Sequence, residues 1–268
     1  MSKASSIRSF NARGVRSDPS SCRTRIGPST VKCIVHQPQC ACTAARYRNS
    51  RGLEPHSACE DSPIARTRSR TPPVESPSMK VILFHSSCGL RPAVQEAADR
   101  LRAAGHEVYV PDLYDGRTAD SVEEGMLIRD EIGQDELLRR AVVAAAPHSE
   151  QGLVYAGFSL GAYFAGSIGL ADVKARGLLL LHGTSDVPED VSMDGLPTQL
   201  HVADPDMYEP DDWLNSWYLD MQRAGADVEV YRYRGAGHLY TDPGLPDWDA
   251  EAAERTWTLA LGFLDSLG

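Results

Sequence analysis

The chain has 268 residues, is 42% hydrophobic and 24% charged, and carries a formal net charge of −10. Residues 1–78 hold 13 Lys/Arg against 5 Asp/Glu, whereas the remaining 190 residues hold 14 against 32, a net of −18. An acidic body argues against nucleic acid or an anionic membrane surface as partner, and no apolar run approaches the roughly 20 residues of a membrane helix.

Residues 1–78 are rich in Ser, Arg, Pro and Thr and show no sustained hydrophobic period, so they are expected to be disordered. They lack the apolar core of a secretory signal and the amphipathic spacing of a transit peptide. Cys33, His36, Cys40, Cys42, His56 and Cys59 match no two-pair zinc pattern, and no metal is expected. Met79 opens Met-Lys-Val-Ile-Leu-Phe-His, an ideal first strand, directly after a Pro/Ser-rich stretch. The reading is an upstream extension over 1–78, with Met79 as the true start and 79–268 as the folded domain. Cys88 is the body's single cysteine, which suits a reducing, cytoplasmic setting.

The pattern predicts a buried strand over Met79–His85, then a helix opened by Pro92 with Ala93, Val94, Ala97, Ala98 and Leu101 at helical spacing. A short strand follows over Glu107–Val110, a loop over Asp112–Ala119, and a helical region from about Ser121 to Ala146. Ser121-Val-Glu-Glu124 has capping-box form at its start. Further strands are expected over Gly152–Ala156, Gly177–Leu181, Gln199–Ala203 and Val228–Tyr233. Helices are expected over Leu160–Leu170, Asp211–Ala224 and about Trp248–Leu267. Trp213, Trp217 and Met221 form a stripe read as core packing, and Ala252, Trp257, Leu259 and Phe263 are expected to be buried. Strands alternating with helices imply an α/β fold, a doubly wound, mostly parallel sheet with helices on both faces.

The chemistry centres on Tyr155-Ala-Gly-Phe-Ser159-Leu-Gly161-Ala. A β-branched and aromatic run entering Gly-x-Ser-x-Gly, with a small-residue helix behind it, is the pattern of a nucleophile elbow. A serine hydroxyl needs a base to take its proton and an acid to orient that base. His238, in Arg-Gly-Ala-Gly-His-Leu-Tyr past the last strand, is the candidate base. His182 and His201, inside or at the ends of strands, read as packed or hydrogen-bonded. Asp206 is favoured as the acid over Asp204, since Pro205 turns the loop at once and the second residue past the strand projects back over the sheet edge; Asp186 is a third choice. The developing oxyanion needs two N–H donors, expected from Leu160 and from Ser87 in the loop after the first strand. Cys88 in that loop reads as a packed thiol.

These motifs resemble the dienelactone hydrolase family of small α/β-hydrolases, over essentially all of Met79–Gly268. The resemblance rests on His85-Ser-Ser-Cys-Gly-Leu-Arg-Pro92, Val110-Pro-Asp-Leu-Tyr114, Gly-Phe-Ser159-Leu-Gly, Asp204-Pro-Asp206-Met-Tyr-Glu-Pro210 and Tyr233-Arg-Gly-Ala-Gly-His238. It implies the α/β-hydrolase fold, hydrolysis, and Asp206 as acid. Two departures stand out. Family members acting on dienelactone usually carry a cysteine where this chain has Ser159, with a glutamate governing that thiol where this chain has Ser86. Asp242 occupies the place of the arginine that holds a substrate carboxylate, and an acid there would repel one. Dienelactone itself is therefore not the expected substrate.

The expectation is a cofactor-free serine hydrolase of a small ester, lactone or thioester, monomeric or homodimeric, acting through an acyl-enzyme. The segment Asp112–Glu136 and the loop Tyr240–Trp248 should wall the pocket, with Ser86, Tyr114, Tyr208 and Tyr240 as candidate lining residues. The competing expectation is a non-catalytic scaffold or ligand-binding relative that keeps the elbow for packing.

Overall fold

The computed structural model describes residues 78–268. The expected disorder of the N-terminal segment, its cysteine and histidine content, and its place upstream of Met79 lie outside the described residues. Six strands form one sheet: β1 (Lys80–Phe84), β2 (Glu107–Tyr109), β3 (Val154–Phe158), β4 (Gly177–Leu181), β5 (Pro197–Asp204) and β6 (Asp227–Arg234). Their order is β2-β1-β3-β4-β5-β6, and every neighbouring pair is parallel.

Side chains that alternate along each strand feed two cores, one on each face of the sheet. Val81 and Leu83 of β1, Val154, Ala156 and Phe158 of β3, and Leu179 and Leu181 of β4 face one side. They pack there against α1 (Pro92–Ala103) and α6 (Ala250–Ser266), through Val94, Ala98, Leu101, Trp257, Phe263 and Leu264. Ile82, Phe84, Tyr155, Leu178 and Leu180 face the other side. They meet α3 (Gln134–Ala145), α4 (Leu160–Gly169) and α5 (Asp211–Arg223). The central strands read as unbroken apolar runs because both of their faces are covered. β6 closes one edge with Asp227, Glu229, Arg232 and Arg234, polar side chains that discourage further strand pairing.

The long helical region expected over Ser121–Ala146 is two helices, α2 (Val122–Ile132) and α3, followed by a short 3-10 turn over Ala146–Gln151. Gly133 adopts φ 91°, which ends one helix and turns the chain into the next. The Ser121 hydroxyl accepts the Glu124 N–H at 3.2 Å, as the capping box predicts. The Glu124 carboxylate reaches back one residue further than expected, to the Asp120 N–H at 3.2 Å. Trp213 departs from the expected core stripe. It is 64% exposed, because the buried face of α5 is Leu214, Trp217 and Met221, and Trp213 lies one residue, about 100°, round the helix from Leu214. Leu259 is half-buried, and Trp248 precedes α6, whose N-cap is Asp249.

Order reverses between β1 and β3: the chain leaves β1 toward β2 on one side and returns to β3 on the other. Crevices in such sheets open at the carboxyl ends of the strands flanking that reversal. The β1, β3, β4, β5 and β6 exits carry the chemistry-bearing loops.

Candidate active site

Ser159 stands between β3 and α4 with φ 50° and ψ −112°, a backbone conformation L residues rarely adopt. The turn is possible because its flanks are glycines. A Cβ on Gly157 would lie 2.2 Å from the Gly161 carbonyl, and one on Gly161 would lie 2.3 Å from the Phe84 carbonyl oxygen. A third glycine, Gly183 after β4, lies against the Ser159 backbone, where a Cβ would approach its carbonyl oxygen to 2.8 Å. The elbow is thus a close crossing of three backbone segments that allows no side chains.

His238 arrives from the loop after β6. Its Nε2 lies 2.8 Å from Ser159 Oγ and its Nδ1 lies 2.7 Å from Asp206 Oδ2. Asp206 follows β5, and its other carboxylate oxygen accepts the Tyr208 N–H at 2.9 Å, which fixes the plane of the group. Asp204 is turned away toward Arg232 at 3.6 Å. Asp206 is therefore the aspartate brought to the histidine. The loop carrying His238 is held by Asp247, whose carboxylate accepts the Leu239 N–H at 3.0 Å and packs against Gly237.

Leu160 is the first residue of α4, so its N–H has no acceptor within the helix. The Ser87 N–H likewise has no acceptor among the described residues, although the neighbouring Cys88 and Gly89 N–H groups both bond to Ser86. Ser87, Ser159 and Leu160 border one cavity of about 830 Å³, which also touches His238. The Ser87 carbonyl lies under α2, where a Cβ on Gly125 would come within 2.3 Å of it.

The remaining expected lining residues separate into two groups. Tyr208 lies beside His238 with ring centroids 4.6 Å apart and donates its hydroxyl to Glu123 at 2.7 Å, bridging the β5 exit to α2. That bond pushes the phenol up to about 12. Ser86, Tyr114 and Tyr240 line neither cavity. The Ser86 hydroxyl accepts the Cys88 N–H at 3.1 Å inside its own loop. Tyr114 is fully buried edge-on to His85, and Tyr240 is fully buried with its hydroxyl 2.8 Å from Thr256 Oγ1. Both rings are supports under the site, with burial as the dominant packing term. Cys88 is buried with its thiol toward the Ser121 carbonyl, and burial raises its pKa, as suits a packed thiol. His201 is bonded to Tyr233 and Gln199 within the sheet, and burial pushes it down to about 3.

Asp242 also lines neither cavity. It bonds to Arg91 Nε at 2.7 Å, and Arg91 further donates to Asp120, the Ala119 carbonyl and the Gly244 carbonyl. The charge expected to repel a carboxylate from the site is spent on a clamp between two loops. The larger cavity takes its wall from α2, α5 and the β4 and β5 exits: Met126, Arg129, Tyr163, Thr184, Asp186, Glu209, Trp213 and Trp217 among others. A second cavity of about 520 Å³ lies across His238 and Tyr208, bordered by Asp120–Glu123 and Leu245–Asp247. Thr184, Asp186 and Glu209 were not singled out as lining residues from sequence; their place just past β4 and β5 is the signal that marks them. Among the described residues no group of three His, Cys, Asp or Glu side chains is arranged to hold a metal ion.

A serine elbow on the strand flanking a topological reversal, met by a histidine and an aspartate from later strand exits, defines an α/β-hydrolase. Comparison with known proteins agrees. The model of the dienelactone hydrolase family matches residues 66–267, and the chain belongs to that family. It is accordingly an ester-bond hydrolase by class. Similar solved structures include the dienelactone hydrolase-like promiscuous phosphotriesterase P91 from metagenomic libraries, with TM-score 0.59 and 21% identity over 72% of this chain and 87% of that one. A structure from Klebsiella pneumoniae named "Putative Dienelactone Hydrolase" gives TM-score 0.59 and 18% identity over 70% and 87%. Esterase 2 of Thermogutta terrifontis, phosphoramylated by tabun, gives TM-score 0.53 and 16% identity over 72% and 85%. These likenesses concern the fold. A search of the curated proteins gave no match.

Proposed function

We propose that the chain hydrolyses a small ester, lactone or thioester through an acyl-enzyme on Ser159. The observation carrying this reading is the continuous hydrogen-bonded series Ser159 Oγ, His238 Nε2, His238 Nδ1 and Asp206 Oδ2, at 2.8 and 2.7 Å. In this reading His238 takes the Ser159 proton as Oγ attacks the acyl carbon. Asp206 holds the Nδ1–H tautomer and stabilises the imidazolium that forms. The Leu160 and Ser87 N–H groups receive the oxyanion, two fixed donors in a site partly shielded from water. His238 then returns the proton to the leaving group, and a water attacks the acyl-enzyme by the same route in reverse.

The larger cavity takes one part of the substrate, and the smaller cavity beyond His238 takes the other. Tyr208 and its bond to Glu123 form the partition between them. A panel of chromogenic acyl esters, thioesters and lactones tests the reading. Turnover by the wild type that disappears in Ser159→Ala is the expected outcome. Turnover that persists in Ser159→Ala would refute it.

A further inference from the structure

The wall of the larger cavity is acidic and aromatic. Among the described residues it carries three carboxylates, Asp186, Glu209 and Asp220, against one cation, Arg129. Arg129 is held from behind by Asp130, at 2.9 Å through Nε and 2.5 Å through Nη2, which offsets its charge. Asp220 is shared with Arg223 at 3.4 Å. Glu209 is different. Among the described residues its two oxygens accept only from the neutral Thr184 N–H at 3.1 Å and Thr184 Oγ1 at 2.9 Å. Asp186 stands two residues along the same β4 exit loop.

Aromatic side chains line the same cavity as these carboxylates. Tyr163, Tyr208, Trp213 and Trp217 border the same space. Trp217 is buried with no partner for its Nε1 among the described residues, whereas Trp213 leaves 64% of its surface in solvent at the rim. A large exposed indole beside a carboxylate-lined cavity has no packing role to explain it. It provides a π face whose quadrupole attracts cations.

We propose that this cavity selects esters bearing an organic cation, a quaternary ammonium or a protonated amine, in the part of the substrate that lies beyond Ser159 toward Glu209 and Trp213. The inference rests on Ser159 being the nucleophile, since that places the cavity at the reacting carbon. A cation there gains Coulomb attraction to Glu209 and Asp186 and contact with the aromatic faces. A carboxylate in the same place would be repelled by them. The acidic body, with 14 basic and 32 acidic residues beyond position 78, adds a field of the same sign. Glu209 is held above the usual carboxylate range chiefly by burial, and a bound cation would relieve that cost.

The test compares kcat/KM within matched pairs. In one pair the cation is in the leaving group, acetylthiocholine against the thioacetate in which carbon replaces the nitrogen. In the other it is in the acyl chain, a trimethylammonio-alkanoate nitrophenyl ester against its tert-butyl isostere. At low ionic strength the cationic member of at least one pair is expected to be preferred by about tenfold, a margin that shrinks as salt is added. The double substitution Asp186→Asn/Glu209→Gln should bring that ratio toward one. Ratios near one in both pairs, or a preference untouched by the double substitution, would overturn the inference. Choline binding, read by quenching of tryptophan fluorescence in the wild type and in Ser159→Ala, separates the two levels. Saturable quenching in both without turnover of any ester would remove the nucleophile and leave the cation site. Turnover of neutral isosteres without cation preference and without saturable quenching would remove the cation site and leave the nucleophile.

Discussion

Asp206→Asn tests the orientation of His238 atom by atom. In the wild type one carboxylate oxygen accepts the His238 Nδ1–H at 2.7 Å and the other accepts the Tyr208 N–H at 2.9 Å. An asparagine of the same shape has one acceptor and one donor for these two places. The Tyr208 backbone can only donate, so the amide oxygen is claimed there and the NH2 faces Nδ1. His238 must then accept at Nδ1 and carry its proton on Nε2, where the Ser159 hydroxyl needs an acceptor. The opposite flip sets the amide NH2 against the Tyr208 N–H in a buried site. Loss of the correct tautomer with the geometry retained costs about 10⁴ in kcat, or about 5.5 kcal/mol of barrier. The assay is kcat/KM on a chromogenic ester that the wild type cleaves, beside Asp204→Asn as a control. Asp204 faces Arg232 at the surface, and its substitution should change the rate by no more than about threefold, as expected of surface charges. A rate for Asp206→Asn within tenfold of wild type, or a deeper loss for Asp204→Asn, would refute the reasoning.

Arg91→Ala should destabilise the domain by about 3 kcal/mol, because it leaves the 15%-exposed Asp242 carboxylate without its partner and unlinks two loops. Chemical denaturation measures this, and Arg91→Ala/Asp242→Ala should recover part of the loss. His201 is held neutral by burial, with its pKa lowered to about 3, so its contribution to stability is complete above the unfolded value of 6.5 and is lost as pH falls toward 3. The slope it adds is about 1.4 kcal/mol per pH unit in that window, and His201→Gln should flatten the acid limb of the stability curve by that amount. Glu209 has the opposite sign. Its folded pKa is raised, so the folded state binds its proton more tightly and stability falls as pH rises through that window. Glu209→Gln should therefore raise the melting temperature at neutral pH, with the advantage fading as the solution is acidified below the carboxylate range.

The fold was legible because the central strands are buried on both faces and read as unbroken apolar runs, Val81–Phe84 and Leu178–Leu181 most clearly. Ser159, Asp206 and His238 were legible for a different reason. Each lies within four residues of a strand's carboxyl end, and Ser159 and His238 stand beside glycines whose space is taken by neighbouring backbone or side chains. Direction of side chains at equal distance from the sheet edge was less legible. Tyr114, Tyr208 and Tyr240 look alike in sequence. Tyr114 and Tyr240 turn inward, where Gly125, His85 and Thr256 receive them, and Tyr208 alone reaches the cavities. Trp213 has the same four-residue spacing to Trp217 as Trp217 has to Met221, yet the face that packs inward begins at Leu214 and leaves Trp213 outside. The Arg91–Asp242 contact joins positions 151 residues apart, so no local pattern announces it.

The proposed hydrolysis stands on Ser159 being the nucleophile and His238 its base. Labelling with a fluorophosphonate, followed by mapping of the modified peptide, tests it most directly. A single adduct on Ser159 is expected in the wild type, none in Ser159→Ala, and labelling slowed by orders of magnitude in His238→Ala. A wild type that does not react, or a Ser159→Ala protein that is labelled equally, would contradict it.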